Sequence, residues 1–458
     1  MKILSQSKHM SHEYCCTIVK IGEVKPIDGS DFLGQVLVEG RTIVVRKDEI
    51  HEGDILFYVQ NESQINRDFT FVNNLFDDKT LNYDTSQKGY INKNCRIRMV
   101  KLRGVLSMGF LFSVSCMKKW CPNFDVDISQ HIGEDFDTVN GELFVKAYVP
   151  PVKESNVNRN KSKNNNLNKI DCLIPGKFQL HYDTQQLNRN MDKIQPNDVV
   201  SISVKMHGTS IVIGNVLTKY PKFNGLYFKL FPYLPKFLKF YKEKYTVIYS
   251  SRTVIKNRNI NPKVKDGYYS KDVWGEYYEL LKNYIPENMT IYGEIVGYVG
   301  GTNTMIQKGY DYGCKPGENK LMIYRISTED ETGKKYEWNV SDVYDFTLLL
   351  KDKVELKDKI HPIDILYHGT LKNLYEDVSI TTHWSENVLE KLKNDITFGM
   401  EQDEPMCRNK VPREGFCLRI DNDIIDECFK LKCLKFLNRE SKLIDDGVID
   451  DFEMQERY

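Results

Sequence analysis

No stretch of the 458 residues approaches the roughly 18 apolar residues that a membrane-spanning helix needs. Nor does an apolar signal-peptide core follow Met1, since Met1 to Tyr14 is polar. A cytoplasmic or nuclear location is therefore expected. There is no C-x-x-C and no Cys/His cluster at zinc spacing. The eleven cysteines are scattered and odd in number, which points to reduced, mostly buried thiols rather than a disulfide framework. Net charge is also missing: 64 Lys and Arg balance 64 Asp and Glu. Dedicated nucleic-acid binders are usually basic, so any anion-binding groove here requires charges segregated on the surface. No internal repeat is visible.

What is present is enough apolar side chain, 41%, to build real cores. The length suits two to three domains. From Tyr14 to Val149 short β-rich runs alternate with turn signals. Cys15–Val19, Gln35–Val38, Thr42–Val45 and Ile55–Val59 are separated by Asp28-Gly29-Ser30, Glu39-Gly40 and Glu52-Gly53-Asp54. That spacing predicts a small barrel or sandwich over residues 1–149. Residues 150–172 are rich in Asn and Lys, with almost nothing to bury, and read as a linker. Residues 173–440 mix strands (Val199–Val204, Ser210–Gly214, Thr246–Ser250, Thr290–Ile295, Lys320–Arg325) with helical spacing at Asp272–Tyr284, Ser341–Lys351 and Ser385–Lys393. This is an α+β domain. Residues 441–458 read as an acidic tail. Between Tyr220 and Tyr245 aromatics interleave with lysines. Such rings most often form a local core, although the same mixture can hold nucleic acid.

The chemistry concentrates around Lys205-Met206-His207-Gly208-Thr209, which lies between two apolar strands. A lysine at a strand end, followed by a glycine permitting a tight turn, can present its amine to a cleft. To act as a nucleophile it must shed a proton that a free lysine holds to about pH 10.4, and neighbouring cations or a metal would help. Lys430 and Lys432, two apart on an expected strand, share a face suited to phosphates. Glu294 and Glu414, expected to follow strands, suit a divalent metal and ribose hydroxyls, and Tyr324 offers a flat face to a purine.

The order of these segments resembles the covalent nucleotidyltransferase superfamily, and within it the ATP-dependent RNA ligases. Lys205-Met206-His207-Gly208 resembles the first motif, carrying His207 where DNA ligases and capping guanylyltransferases usually have Asp. Ser251-Arg252-Thr253, Tyr292–Gly297 with Ile306–Tyr312, Leu321–Ile326, Arg413–Arg419 and Phe429–Phe436 resemble the later motifs, in family order. Arg325 stands where related ligases often have Asp, and Val204 where some have an acid. The resemblance implies that Lys205 forms a lysyl-AMP with Lys430 and Lys432 assisting. It implies that His207, Gly208, Arg252, Glu294, Tyr324 and Glu414 bind the nucleotide, with Glu294 and Glu414 also at Mg²⁺ or Mn²⁺. Arg96-Ile97-Arg98 and Lys101–Gly109, with His181-Tyr182-Asp183-Thr184, resemble a branch with an N-terminal OB-type domain and no C-terminal domain. That branch seals nicks with RNA on the 3′-OH side. RNA, or a nicked duplex containing it, is then the expected partner, bound by a monomer without a membrane.

Overall fold

The structure, a computed structural model, describes residues 3–8, 10–150, 172–181, 184–223, 235–257, 271–422 and 427–447. The Asn/Lys segment 151–171, Tyr182-Asp183, the middle of the aromatic block (224–234) and residues 448–458 lie outside the described residues. Two compact units form, one within Met1–Pro151 plus Asn438–Gly447 and the other within Val152–Leu437.

The first unit is built on β1 (Cys16–Lys20), β2 (Ser30–Val38), β3 (Arg41–Arg46), β4 (Ile55–Gln60) and β5 (Gly109–Phe112). Strand β4 pairs with both β1 and β5, while β2 and β3 form a hairpin whose turn is Glu39-Gly40. Side chains of a strand alternate between faces, yet Leu56-Phe57-Tyr58-Val59 is apolar throughout. The reason is that both faces are covered. Phe57 and Val59 pack with Phe69, Phe112, Phe136 and Phe144, whereas Leu56 and Tyr58 pack with Val36, Val38, Ile43 and Val45.

Arg96, from the basic Arg96-Ile97-Arg98 run, is buried in this unit. Its guanidinium is 2% exposed, pairs with Glu62 at 2.7 Å and Asp445 at 2.7 Å, and donates to Ser441 Oγ at 3.1 Å. Arg98 is half-buried with Asp77 at 3.8 Å, while Lys101 and Arg103 are exposed. Ser441 and Asp445 belong to a helix, Leu434–Asp445, that runs past the expected domain end at residue 440. The segment read as the start of an acidic tail is therefore helical and clusters with the N-terminal unit from Asn438 onward. Its Asp445 is an ion-pair partner of Arg96, which composition alone does not reveal.

Among its described residues the second unit holds two sheets. One has the order Gln185–Gln186, β13 (Cys428–Lys432), β12 (Gly415–Ile420), β6 (Val199–Lys205), β11 (Ile365–Thr370). The other has β8 (Tyr241–Ser250), β7 (Thr209–Pro221), β9 (Met289–Gly297) and β10 (Asn319–Glu329), followed by Lys335–Glu337. The chain passes from the first sheet to the second at Met206–Gly208. Val200, Ile202 and Val204 bury against Val388, Leu392, Phe416 and Leu418, and Ile211 and Ile213 against Trp274, Tyr277 and Ile291. The helices Val273–Leu281, Val340–Lys351 and Trp384–Asn394 sit close to their expected positions. The strands run longer than the sequence pattern indicated. Pairing with a neighbour, rather than hydrophobicity, sets where a strand ends.

The aromatic block does not form a core where it is described. Phe237 is 78% exposed, and Phe223, Phe240 and Tyr241 are also exposed. Arg325 is buried and held by Glu337 at 2.9 Å, which Arg419 shares at 3.1 Å. That buried acid accounts for a cation where related ligases often have Asp. All eleven cysteines are free thiols, five of them buried and six half-buried. Among the described residues no helix is long and apolar enough to cross a membrane.

Candidate active site

Sheet register assembles the site. Lys205, the last residue of β6, stands opposite Gly415, and Gly415 stands opposite Lys432. Three neighbouring strands thus bring Lys205 and Lys432 to one level from positions 227 residues apart in the sequence (432 − 205). Glu414 immediately precedes β12 rather than following a strand. Its Oε1 lies 2.9 Å from Lys205 Nζ and 3.4 Å from Lys432 Nζ, and its Oε2 lies 3.8 Å from His207 Nδ1. Gly415 makes this possible: with φ at +144°, a Cβ there would fall 2.0 Å from the carbonyl oxygen of Leu431. Only glycine tolerates both the conformation and the approach.

The turn carrying His207 and Gly208 is fixed by three hydrogen bonds from elsewhere in the fold. The His207 N–H donates to the Tyr312 hydroxyl oxygen at 2.8 Å, and the Gly208 N–H to Glu294 Oε1 at 3.1 Å. Gln307 Nε2 donates to the Gly208 carbonyl at 2.7 Å. A Cβ on Gly208 would meet the Ile295 carbonyl at 2.3 Å, so the backbone approaches β9 as closely as glycine allows. Glu294 is inside β9 rather than after it. Tyr312 holds its place with φ at +46°, an uncommon conformation for a bulky residue and one that the surrounding packing must impose. The His207 ring sits edge-on to Tyr310 and Phe436, with centroids at 4.8 and 5.0 Å.

Burial favours the neutral amine of Lys205, but Glu414 outweighs it, with Cys417 and Glu294 adding to Glu414 and Lys432 opposing. The net effect holds the ammonium above the ordinary lysine range. The sequence reading looked to cations or a metal for the opposite effect; among the side chains here the nearest group is the acid Glu414. For Glu414, burial favours the neutral acid, yet Lys205, Lys432 and His207 together hold its carboxyl below the usual range.

Lys430 is buried two residues before Lys432 on β13, and so shares its face. Tyr324 is part-buried on β10, and its hydroxyl is 3.1 Å from His181 Nδ1. The same nitrogen is 3.0 Å from Ser210 Oγ. Arg252, half-buried, stands two residues beyond β8. His181, Gln307 and Tyr312 had no assigned roles from sequence. The segments holding them were visible, but their targets are backbone atoms or residues far along the chain.

A divalent metal fits this donor set. Glu414 Oε2 is buried without a hydrogen-bond partner, and Glu294 is a second carboxylate at the same turn. Among the described residues no group of three or more His, Cys, Asp or Glu side chains is arranged to hold a metal. Two carboxylates suit Mg²⁺-like coordination, which draws most ligands from phosphates and water.

Solved structures of Naegleria gruberi RNA ligase match the chain at low sequence identity. An apo mutant is 15% identical with a TM-score of 0.54, and a mutant with AMP and Mn 17% with 0.54. A structure with PPi is 16% identical with 0.52. Each match covers 93% of this chain and 98% of that one. The chain has the fold of an RNA ligase. A family model described as an OB-fold domain matches residues 15–114. The architecture is α+β, an N-terminal OB-type barrel followed by a nucleotidyltransferase fold. No curated protein matches the chain in sequence.

Proposed function

We propose that this chain is an ATP-dependent RNA ligase joining 3′-OH and 5′-phosphate ends through a lysyl-AMP on Lys205. The observation that carries the reading is the placement of Lys205, Lys432 and Glu414 within 3.4 Å contacts at one level of the sheet. A nucleophilic amine, a cation for the phosphate and an acid able to exchange partners occupy one end of three strands. The Naegleria structures named with ATP, AMP, PPi and Mn support the same reading.

In the first step Lys205 Nζ bonds to the α-phosphorus of ATP, and the bond to the β-phosphate oxygen breaks to release pyrophosphate. Lys205 must first lose a proton that Glu414 stabilises, so the amine is protected until ATP arrives. Lys432 and Lys430 offset the charge growing on the α-phosphate. Glu414 and Glu294 would hold Mg²⁺ or Mn²⁺, whose charge would polarise the phosphates. Tyr324 presents its ring to adenine, while His207, Gly208 and Arg252 line the nucleotide. AMP then passes to the 5′-phosphate of an RNA end. Attack by the 3′-OH on that phosphorus expels AMP and closes the bond. Duplex nicks with RNA on the 3′-OH side are the proposed substrate, engaged by the OB-type unit.

The test is label transfer from α-labelled ATP. Lys205→Ala abolishes labelling of the protein yet retains part of the sealing of pre-adenylylated ends, because their activation is already supplied. Undiminished labelling of the variant refutes the assignment.

A further inference from the structure

Strand β7 leaves the nucleotide-site turn at Thr209 and pairs with β9 only as far as Asn215. Beyond that point it continues with β8 as a ribbon, in unbroken register to Pro221 opposite Tyr241, its other edge, among the described residues, meeting Leu173 only at Thr218. The Lys222 N–H then donates to the Phe240 carbonyl at 2.8 Å, extending the ladder by one pair. Alternation sorts the ribbon's side chains. One face receives Lys219, Pro221, Tyr241 and Glu243. The other receives Tyr220, Lys222, Phe240, Lys242 and Lys244: three cations, two rings and no acid.

On that second face Lys244 Nζ sits 4.4 Å from the centre of the Tyr220 ring. Lys222, Phe240, Lys242 and Lys244 are all exposed. A membrane-binding element separates an apolar face from a charged one. Here rings and ammonium groups alternate on the same face, which is the arrangement that stacks bases while holding phosphates. The chain is neutral overall, so this patch is a local segregation of charge.

We infer that this face of the β7–β8 ribbon binds unpaired RNA, stacking bases on Phe240 and Tyr220 and pairing phosphates with Lys222, Lys242 and Lys244. The inference deepens the ligase reading and rests on it for the identity of the nucleic acid. A strand rises about 3.3 Å per residue, so the patch lies roughly 40 Å along β7 from the Lys205 turn. It would then hold RNA well away from the joined ends, as an anchor rather than a part of the chemistry.

The test uses the full chain and a single-stranded RNA probe of mixed sequence, with binding measured across a salt series. Replacing Lys222, Lys242 and Lys244 together by Gln lowers the slope of log K against log salt by about 2, from about 0.7 per lost phosphate contact. Phe240→Ala weakens binding about 5- to 150-fold, the range for one stacked base. Both variants keep wild-type lysyl-AMP formation, which also shows that they fold. Unchanged RNA affinity and slope in folded variants overturn the inference. So does a loss confined to vesicles of phosphatidylcholine with phosphatidylserine, which would mark a membrane contact. If no lysyl-AMP forms even in the wild type but the ribbon variants still lose RNA, the ligase reading fails and the binding face stands.

Discussion

Replacing Glu414 by Gln keeps the shape of the side chain and removes the charge that holds Lys205 protonated. Two unit charges about 4 Å apart attract by about 4 kcal/mol at an effective dielectric of about 20. The pair here is closer, at 2.9 Å, but the Lys205 side chain is 24% exposed. Halving the figure for solvent screening leaves about 2 kcal/mol. At about 1.4 kcal/mol per tenfold, the proton affinity of Lys205 falls roughly 30-fold. Burial and Lys432, which both oppose the ammonium, then act without opposition from Glu414. Competitive acetylation with isotopically paired acetic anhydride reads this directly, with the Lys205 peptide quantified by mass spectrometry at pH 8. In Glu414→Gln the amine reacts about 10- to 30-fold faster than in the wild type, while lysyl-AMP formation from ATP falls. The two readouts move in opposite directions because one needs only a neutral amine and the other also needs the carboxylate. Equal or slower acetylation in the variant refutes the electrostatic account.

The same pair sets a pH window for stability. Lys205 is raised, so its contribution is complete below about pH 10.4 and fades as pH climbs toward its folded value. Glu414 is lowered, so its contribution is complete above about pH 4.3 and fades as pH falls through its folded value. Urea midpoints of wild type and Glu414→Gln should therefore differ by a constant amount between these limits and converge outside them. Lys430→Ala and Lys432→Ala should each slow AMP transfer about 10²- to 10³-fold, the size of losing one charge-stabilising donor; wild-type single-turnover rates would make the β13 face inert. Gly415→Ala places a methyl 2.0 Å from the Leu431 carbonyl oxygen at positive φ, and should cost at least about 2 kcal/mol in urea unfolding; a neutral result would contradict the β12–β13 geometry. Arg96→Ala strands Glu62 and should cost about 3 kcal/mol without altering the salt dependence of RNA binding; a reduced salt slope would return Arg96 to the nucleic-acid surface.

The residue patterns that make up the candidate site were legible from the sequence. Lys205 with a glycine three residues on, Lys430 and Lys432 two apart, and Tyr324 in an apolar run are patterns that nearby residues and strand alternation define. The division into a β-rich N-terminal region and a later α+β region was legible too, because turn residues and apolar periodicity are local properties. Register was not. That Lys205 and Lys432 meet across Gly415 depends on which strands pair and at which residue, a choice made by the packing of two sheets. The same holds for Gln307 and Tyr312, whose partners are backbone atoms of a turn about 100 residues earlier. Charge by itself did not show the partners either. Arg96 lies in a basic run yet is buried against Glu62 and Asp445, and the dominant neighbour of Lys205 is the acid Glu414 rather than a cation. A residue type states what a side chain can do, whereas its partner and its exposure are properties of the folded chain, and those two decide whether a charge binds a ligand, anchors a helix or restrains a nucleophile.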